Sequence, residues 1–175
     1  MATPIFENKS EITLEKYLYL CNHPIGKKAK KKLKNWRMLQ LFAMGVTTVY
    51  SIVCYISDVL PLAVIGLVLI CAFLYKLLFQ RNRVNTNQYK QIIENQENGE
   101  WFRVTTFDKD VKVTDGNTVT TFKYHEFVKF DEDKRYYLLF KNENAVLRVE
   151  KGAFTVGTDE DFVVFMNKKI RPKKK

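Results

Sequence analysis

The side chains in this sequence with the clearest chemical capacity are two histidines, three cysteines and two groups of carboxylates, and none of them is spaced for catalysis. His125-Glu126 has the start of the zinc-protease helix motif, in which two histidines four residues apart hold the metal on one helical face. Position 129 is lysine, and the other histidine, His23, precedes a proline. Asp131, Glu132 and Asp133 offer oxygen ligands to a cation, but the alternating spacing of a calcium loop is absent. They read as a solvated turn. Asp159, Glu160 and Asp161 read as charge at a helix start, where carboxylates are stabilised by the exposed N–H groups. Cys21, Cys54 and Cys71 fit neither a metal site nor a disulfide framework, and read as small apolar filler. The seven glycines are too scattered for a phosphate-cradling loop, and no serine nucleophile elbow is present. The expectation is a non-enzymatic protein with no catalytic residue, no metal ligand and no cofactor.

Basic residues form the strongest pattern. Lys27, Lys28, Lys30, Lys31, Lys32, Lys34 and Arg37 crowd one segment, and Arg81 and Arg83 flank the far side of a long apolar stretch. A lysine or arginine close to an anionic bilayer surface gains about 1 kcal/mol, so these nine residues are candidate contacts to anionic lipid. They also act as a topology signal. The run has no interleaved aromatic residues, which argues against nucleic acid. The net charge of +10 is local: residues 1–37 hold nine basic and three acidic side chains, and six basic residues sit in the last eight.

Between the basic groups lies the element that must position them. Residues 38–75 contain a single charged side chain, Asp58. A bilayer core about 30 Å thick takes roughly 20 apolar residues of helix per crossing, so the stretch fits two crossings. The break falls at Ser57, Asp58 and Pro61. The reading is a transmembrane hairpin over residues 38–79, with spans at 38–57 and 59–79, Trp36 as an interfacial aromatic and Asp58 exposed in the loop. Lys and Arg flank the hairpin and are missing from its loop, which places both termini in the cytoplasm by the positive-inside rule. The first apolar run starts too late for a cleavable signal peptide. The first span contains the small or weakly polar residues Gly45, Thr47, Thr48, Ser51 and Cys54, and the second offers Ala63, Gly66 and Cys71. Since small residues let helices approach, the reading is a packed hairpin. Homo-oligomerisation through this hairpin is a further expectation.

Outside the hairpin the pattern divides as follows. Residues 1–37 form a cytosolic segment with an extended piece at 4–7, a short amphipathic helix at 14–21 capped by Thr13, and the polybasic run. Residues 80–99 read as a polar, helical linker ending at Asn98-Gly99. From residue 100 the apolar period becomes two, which marks strands. Strands fall at 101–107, 111–114, 118–124, 127–131, 136–140 and 145–150. Asp115-Gly116-Asn117 is a hairpin turn, because Gly and Asn tolerate positive φ. Residues 136–140 are apolar on both faces and read as a central strand. A helix after Thr158 carries Phe162, Phe165, Met166 and Ile170 on one stripe. The expected fold class is α+β: the two-helix hairpin plus a small cytosolic antiparallel β domain over residues 100–171, closed by the C-terminal helix and followed by a basic tail at 172–175. Its element order is that of a pleckstrin-homology-like module. Trp101, Phe122, Phe130, Tyr136 and Phe140 read as core, and Tyr137 as the aromatic that projects outward to a partner.

This layout resembles the YcxB-like family of small bacterial membrane proteins. The resemblance is carried by Ile12 to Leu18 ahead of the basic run, the paired spans, the hairpin around residues 115–117, the segment 122–127, the strand at 136–140, and the segment 149–154 leading into a helix. Tyr124-His125-Glu126-Phe127 and Glu150-Lys151 stand where the family commonly has an aromatic followed by an acidic–hydrophobic pair, and a proline–lysine pair. The resemblance implies a multi-pass protein of the bacterial cytoplasmic (inner) membrane with a cytosolic β-rich domain, and carries no reaction with it. The expected function is a membrane-anchored interaction module whose partners are membrane lipids and a protein or peptide. A second reading is self-protection, or immunity, against a membrane-active peptide.

Overall fold

Phe6, Asn8, Ser10 and Ile12 recur at a period of two near the start of the chain, and all four are buried. That alternation is a strand with one covered face, and it runs further than the extended piece expected at 4–7. The computed structural model describes residues 4–96 and 99–170. It is an α+β protein of two compact units, one formed by residues 1–27 and 91–175 and the other by residues 28–90. The expected 172–175 tail, Asn98 and Arg171 lie outside the described residues.

The first unit holds β1 (Phe6–Glu11), α1 (Leu14–Asn22), β2 (Phe102–Phe107), β3 (Val111–Asp115), β4 (Thr118–Phe122), β5 (Lys129–Glu132), β6 (Tyr136–Phe140), β7 (Val146–Glu150), β8 (Phe154–Val156) and α5 (Asp159–Lys169). The strands make two antiparallel sheets. One has the order β4-β3-β2-β1-β8 and the other β5-β6-β7. The single meander of five or six strands expected from the sequence is corrected on two counts. β1 enters from residues 6–11 and pairs with β2 on one side and β8 on the other. Residues 1–37 are therefore not a separate segment: β1 and α1 belong to the β domain. The strand expected at 127–131 starts late, because a 3-10 turn at Tyr124–Glu126 precedes it.

Local chemistry explains the ends of these elements. Gly116 lies at φ 57°, the left-handed conformation that the two-residue turn between β3 and β4 requires. Thr13 caps α1 by accepting from the Lys16 N–H, and Thr158 caps α5 by accepting from the Asp161 N–H. The core forms where Phe6 and Phe107 of the larger sheet meet Tyr137, Leu139 and Val149 of the smaller one under Phe162 and Met166 of α5. Phe162 has its ring centroid 5.6 Å from that of Phe6, 4.8 Å from Phe107 and 5.3 Å from Tyr137. The expectation that β6 is apolar on both faces because it is central holds: it lies between β5 and β7. Its second face is covered by α1, where Tyr19 stacks on Tyr136 with centroids 6.2 Å apart.

The second unit is helical. α2 (Lys27–Ile56) and α3 (Leu60–Tyr75) are joined by a tight reversal in which Asp58 takes φ 60°. One π-helical turn, Lys76–Gln80, links α3 to α4 (Arg81–Glu94) without a break in the helical path. The first helix starts eleven residues before the expected span, so the polybasic run is helical and continuous with the apolar stretch.

Candidate functional site

Two places have the geometry of a functional surface, one in each unit. In the helical unit, α2 and the helix Leu60–Glu94 are each long and apolar enough to cross a membrane. Their apolar side chains are almost wholly uncovered by protein: Phe42 is 70% exposed, Ile56 77% and Val68 62%. What little is buried holds the hairpin together. Gly66 and Cys54 are buried, and a Cβ on Gly66 would overlap the Ser51 hydroxyl and lie 3.0 Å from Ser51 Cβ. Small residues at this crossing let the two backbones approach. Thr47 and Ser51 return their hydroxyls to the carbonyls of Ala43 and Thr47, at 2.7 and 2.9 Å. Such bonds satisfy the hydroxyls inside the helix itself, so their polarity is hidden.

Counting back equally along both helices from the Ser51–Gly66 contact brings Arg37 close to the level of Gln80 and Arg81. The antiparallel hairpin thus gathers Lys28, Lys30, Lys31, Lys32, Lys34, Arg37, Arg81 and Arg83 towards one end, away from the Asp58 turn. The six from α2 and Arg83 are exposed, and Arg81 is half-buried. Arg83 donates to the Tyr75 hydroxyl at 3.2 Å across the π-helical turn. Lys27 belongs to the other unit, where it pairs with Glu143 at 2.6 Å.

In the β domain a polar layer sits on the inner face of the larger sheet, beside the aromatic core. Asn8, Ser10 and Thr105 are buried there. Asn8 Nδ2 donates to the Glu150 carbonyl at 2.7 Å, and Ser10 donates to the Glu150 carboxylate. Lys16 from α1 pairs with the same carboxylate at 2.8 Å. Next to it, Asp115 accepts from Arg103 Nη2 at 2.5 Å and from the Trp101 indole N–H. Sequence reasoning missed this layer, since polar residues on strands normally point to water. One signal was available: Phe6 and Ile12 mark the buried phase of β1, and Asn8 and Ser10 lie between them in that phase.

The polar layer opens into a groove of about 700 Å³, within the range of ligand-sized clefts. Its floor is the inner face of the β3–β4 hairpin, with Val113, Thr118, Thr120 and Phe122, and its wall is the stretch Ala145–Arg148 leading into and along β7. Arg148 lies at the junction. It donates to the His23 carbonyl at 2.5 Å and stands 6.0 Å from the Tyr136 ring centroid. Burial pulls its pKa below the usual guanidinium value.

Tyr137, expected to project outward, is corrected: it is 4% exposed and packs in the core against Phe130, Phe154 and Phe162. Its phase on β6 matches Leu139 and, across the ladder, Val149. Burial and a hydrogen bond with Asp159 raise its pKa. No group of three or more metal-ligating side chains converges among the described residues. Compared with known proteins, the chain matches no family model, no curated protein and no solved structure.

Proposed function

We propose that this protein is a membrane-anchored, non-enzymatic interaction module of the YcxB-like kind. The hairpin crosses the bacterial cytoplasmic membrane twice, both termini lie in the cytoplasm, and the β domain, a pleckstrin-homology-like unit, is held at the inner leaflet. The observation that carries this reading is the inversion of the helical unit: its apolar side chains face outward, and its cations gather at one end. In water such a surface has no stable partner, whereas hydrocarbon satisfies the side chains and anionic headgroups satisfy the lysines. The backbone of both helices is bonded internally, as a crossing requires. The β domain supports the binding half of the reading through its groove, which is lined by both apolar and charged side chains.

Crosslinking in intact membranes tests this reading. The native chain is compared with the Phe162→Ala variant, in which the β-domain core loses its central ring. The expected result is that both chains stay in the carbonate-resistant membrane fraction and only the native chain captures partners on the cytoplasmic side. Release of the native chain by carbonate, or identical partners for both chains, contradicts it.

A further inference from the structure

We propose that the groove between the β3–β4 hairpin and β7 binds an extended peptide segment carrying a carboxylate, seated as an added strand on the open edge of β7. This rests on the interaction-module reading and names the site and partner chemistry within it.

The main chain of β7 supplies the first part of the argument. Lys141 N–H bonds the Ala145 carbonyl, and Lys151 N–H bonds the Arg135 carbonyl. In an antiparallel ladder, bonded pairs alternate with unbonded ones, so Ala145, Leu147, Val149 and Lys151 spend their backbone groups on β6. Val146, Arg148 and Glu150 then aim theirs away from it. At Glu150 the outward carbonyl is taken by Asn8. Among the described residues, no hydrogen bond from outside the smaller sheet reaches the backbone of Val146 or Arg148. The uncovered edge is the part that walls the groove. It offers donors and acceptors at strand spacing, which is how a sheet edge takes up an extended peptide. At about 3.3 Å per residue, Ala145–Arg148 accommodates roughly four residues of added strand.

Charge supplies the second part. Three cations and one carboxylate line the groove. Arg103 is neutralised by Asp115 at 2.5 Å, and Lys141 by Glu126 at 2.6 Å. Arg148 has no carboxylate at ion-pair distance among the described residues. Its guanidinium is partly desolvated, fixed by Tyr136 and His23, and set at the end of the open edge. A planar guanidinium held in this way is a carboxylate receptor. The segment Arg171 to Lys175 holds four cationic side chains and no acidic one, so its side chains do not supply that carboxylate. Unpaired backbone groups favour a peptide over a lipid headgroup, which has none to match them.

The test uses the full chain, labelled with nitrogen-15 and placed in neutral-lipid nanodiscs. The probes are three blocked peptides: Thr-Val-Glu-Val-Thr, the same with Gln for Glu, and the Glu peptide N-methylated on the residues that would pair. The expected result is saturable shifts of the Val146, Arg148 and Thr120 amides with the Glu peptide. The Gln peptide binds about tenfold more weakly, as loss of a charged hydrogen bond implies. The N-methylated peptide fails to saturate. Arg148→Gln removes the Glu-over-Gln preference, and Arg148→Lys restores part of it. The absence of shifts at millimolar Glu peptide overturns the proposal, as does equal affinity for all three peptides. Shifts of the same amides on replacing neutral lipid with phosphatidylserine, without peptide, assign the groove to headgroups and overturn it as well. Any of these failures, in a chain that stays in membranes and still captures partners through the β domain, leaves the interaction-module reading standing.

Discussion

Phe42 and Phe162 are the same side chain in opposite surroundings: the first is 70% exposed and the second fully buried. In the β domain, aromatic rings gather inside and charges stay outside or pair, as water demands of a small domain. In the helical hairpin, apolar side chains point outward, and the hydroxyls of Thr47, Thr48 and Ser51 bond carbonyls of their own helix. On the membrane-anchored reading proposed above, the difference is that of one chain folded in two solvents. It also shows which contacts hold each region together. The domain depends on buried area, whereas the hairpin depends on a close crossing at one glycine and on its surroundings.

The largest expected effect separates these two regimes. Phe162→Ala removes a ring that touches both sheets and destabilises the β domain by about 3–5 kcal/mol, read by chemical denaturation of the chain in detergent micelles. Phe42→Ala leaves that midpoint unchanged. A similar loss from both substitutions breaks the contrast. A smaller effect is expected at Asn8→Ala, which leaves the Glu150 carbonyl without its donor and costs about 1–3 kcal/mol. It tests whether the N-terminal strand is integral to the domain, and an unchanged midpoint denies that. Gly66→Val forces a branched side chain against Ser51, at about 1–3 kcal/mol for overpacking. Thermal loss of helicity in micelles moves down, the β-domain midpoint stays, and adding Ser51→Gly recovers part of the loss.

The smallest effect concerns pH. The Glu126 carboxyl is held below its ordinary range first by the Lys123 N–H and then by Lys141. A carboxylate whose pKa is lower in the folded state stabilises the fold above its unfolded pKa, and this is lost as pH falls through the folded one. Glu126→Gln therefore lowers the denaturation midpoint slightly at neutral pH, and the difference vanishes in acid. A difference that grows in acid reverses the sign and refutes the assignment.

Much of this contrast was legible in the residues. The apolar stretch, the turn at Asp58, the caps Thr13 and Thr158, and the Gly116 turn each follow from local chemistry acting over a few residues. The strands after residue 100 were visible in their period, and α5 in its apolar stripe. The split into two sheets was not, because a period of two marks strands without telling which neighbours pair, and the pairing of β1 with β2 and β8 joins residues about a hundred and more positions apart. Tyr137 was misplaced because alternation on β6 places residues on faces without telling which face has the core when both are apolar. The groove escaped for the same reason as the polar layer. An open strand edge is defined by what fails to pair with it, and no residue type marks that.

The central claim is that the helical unit crosses a bilayer as a hairpin with the β domain on the side opposite the Asp58 turn. Cysteine labelling in intact cells tests it most directly, in a background with Cys21→Ser, Cys54→Ala and Cys71→Ala. A membrane-impermeant maleimide should label the Asp58→Cys variant in intact cells, and the Lys109→Cys variant only after permeabilisation. Labelling of both from the same side, or of neither in a chain that carbonate strips from the membrane, would contradict the account.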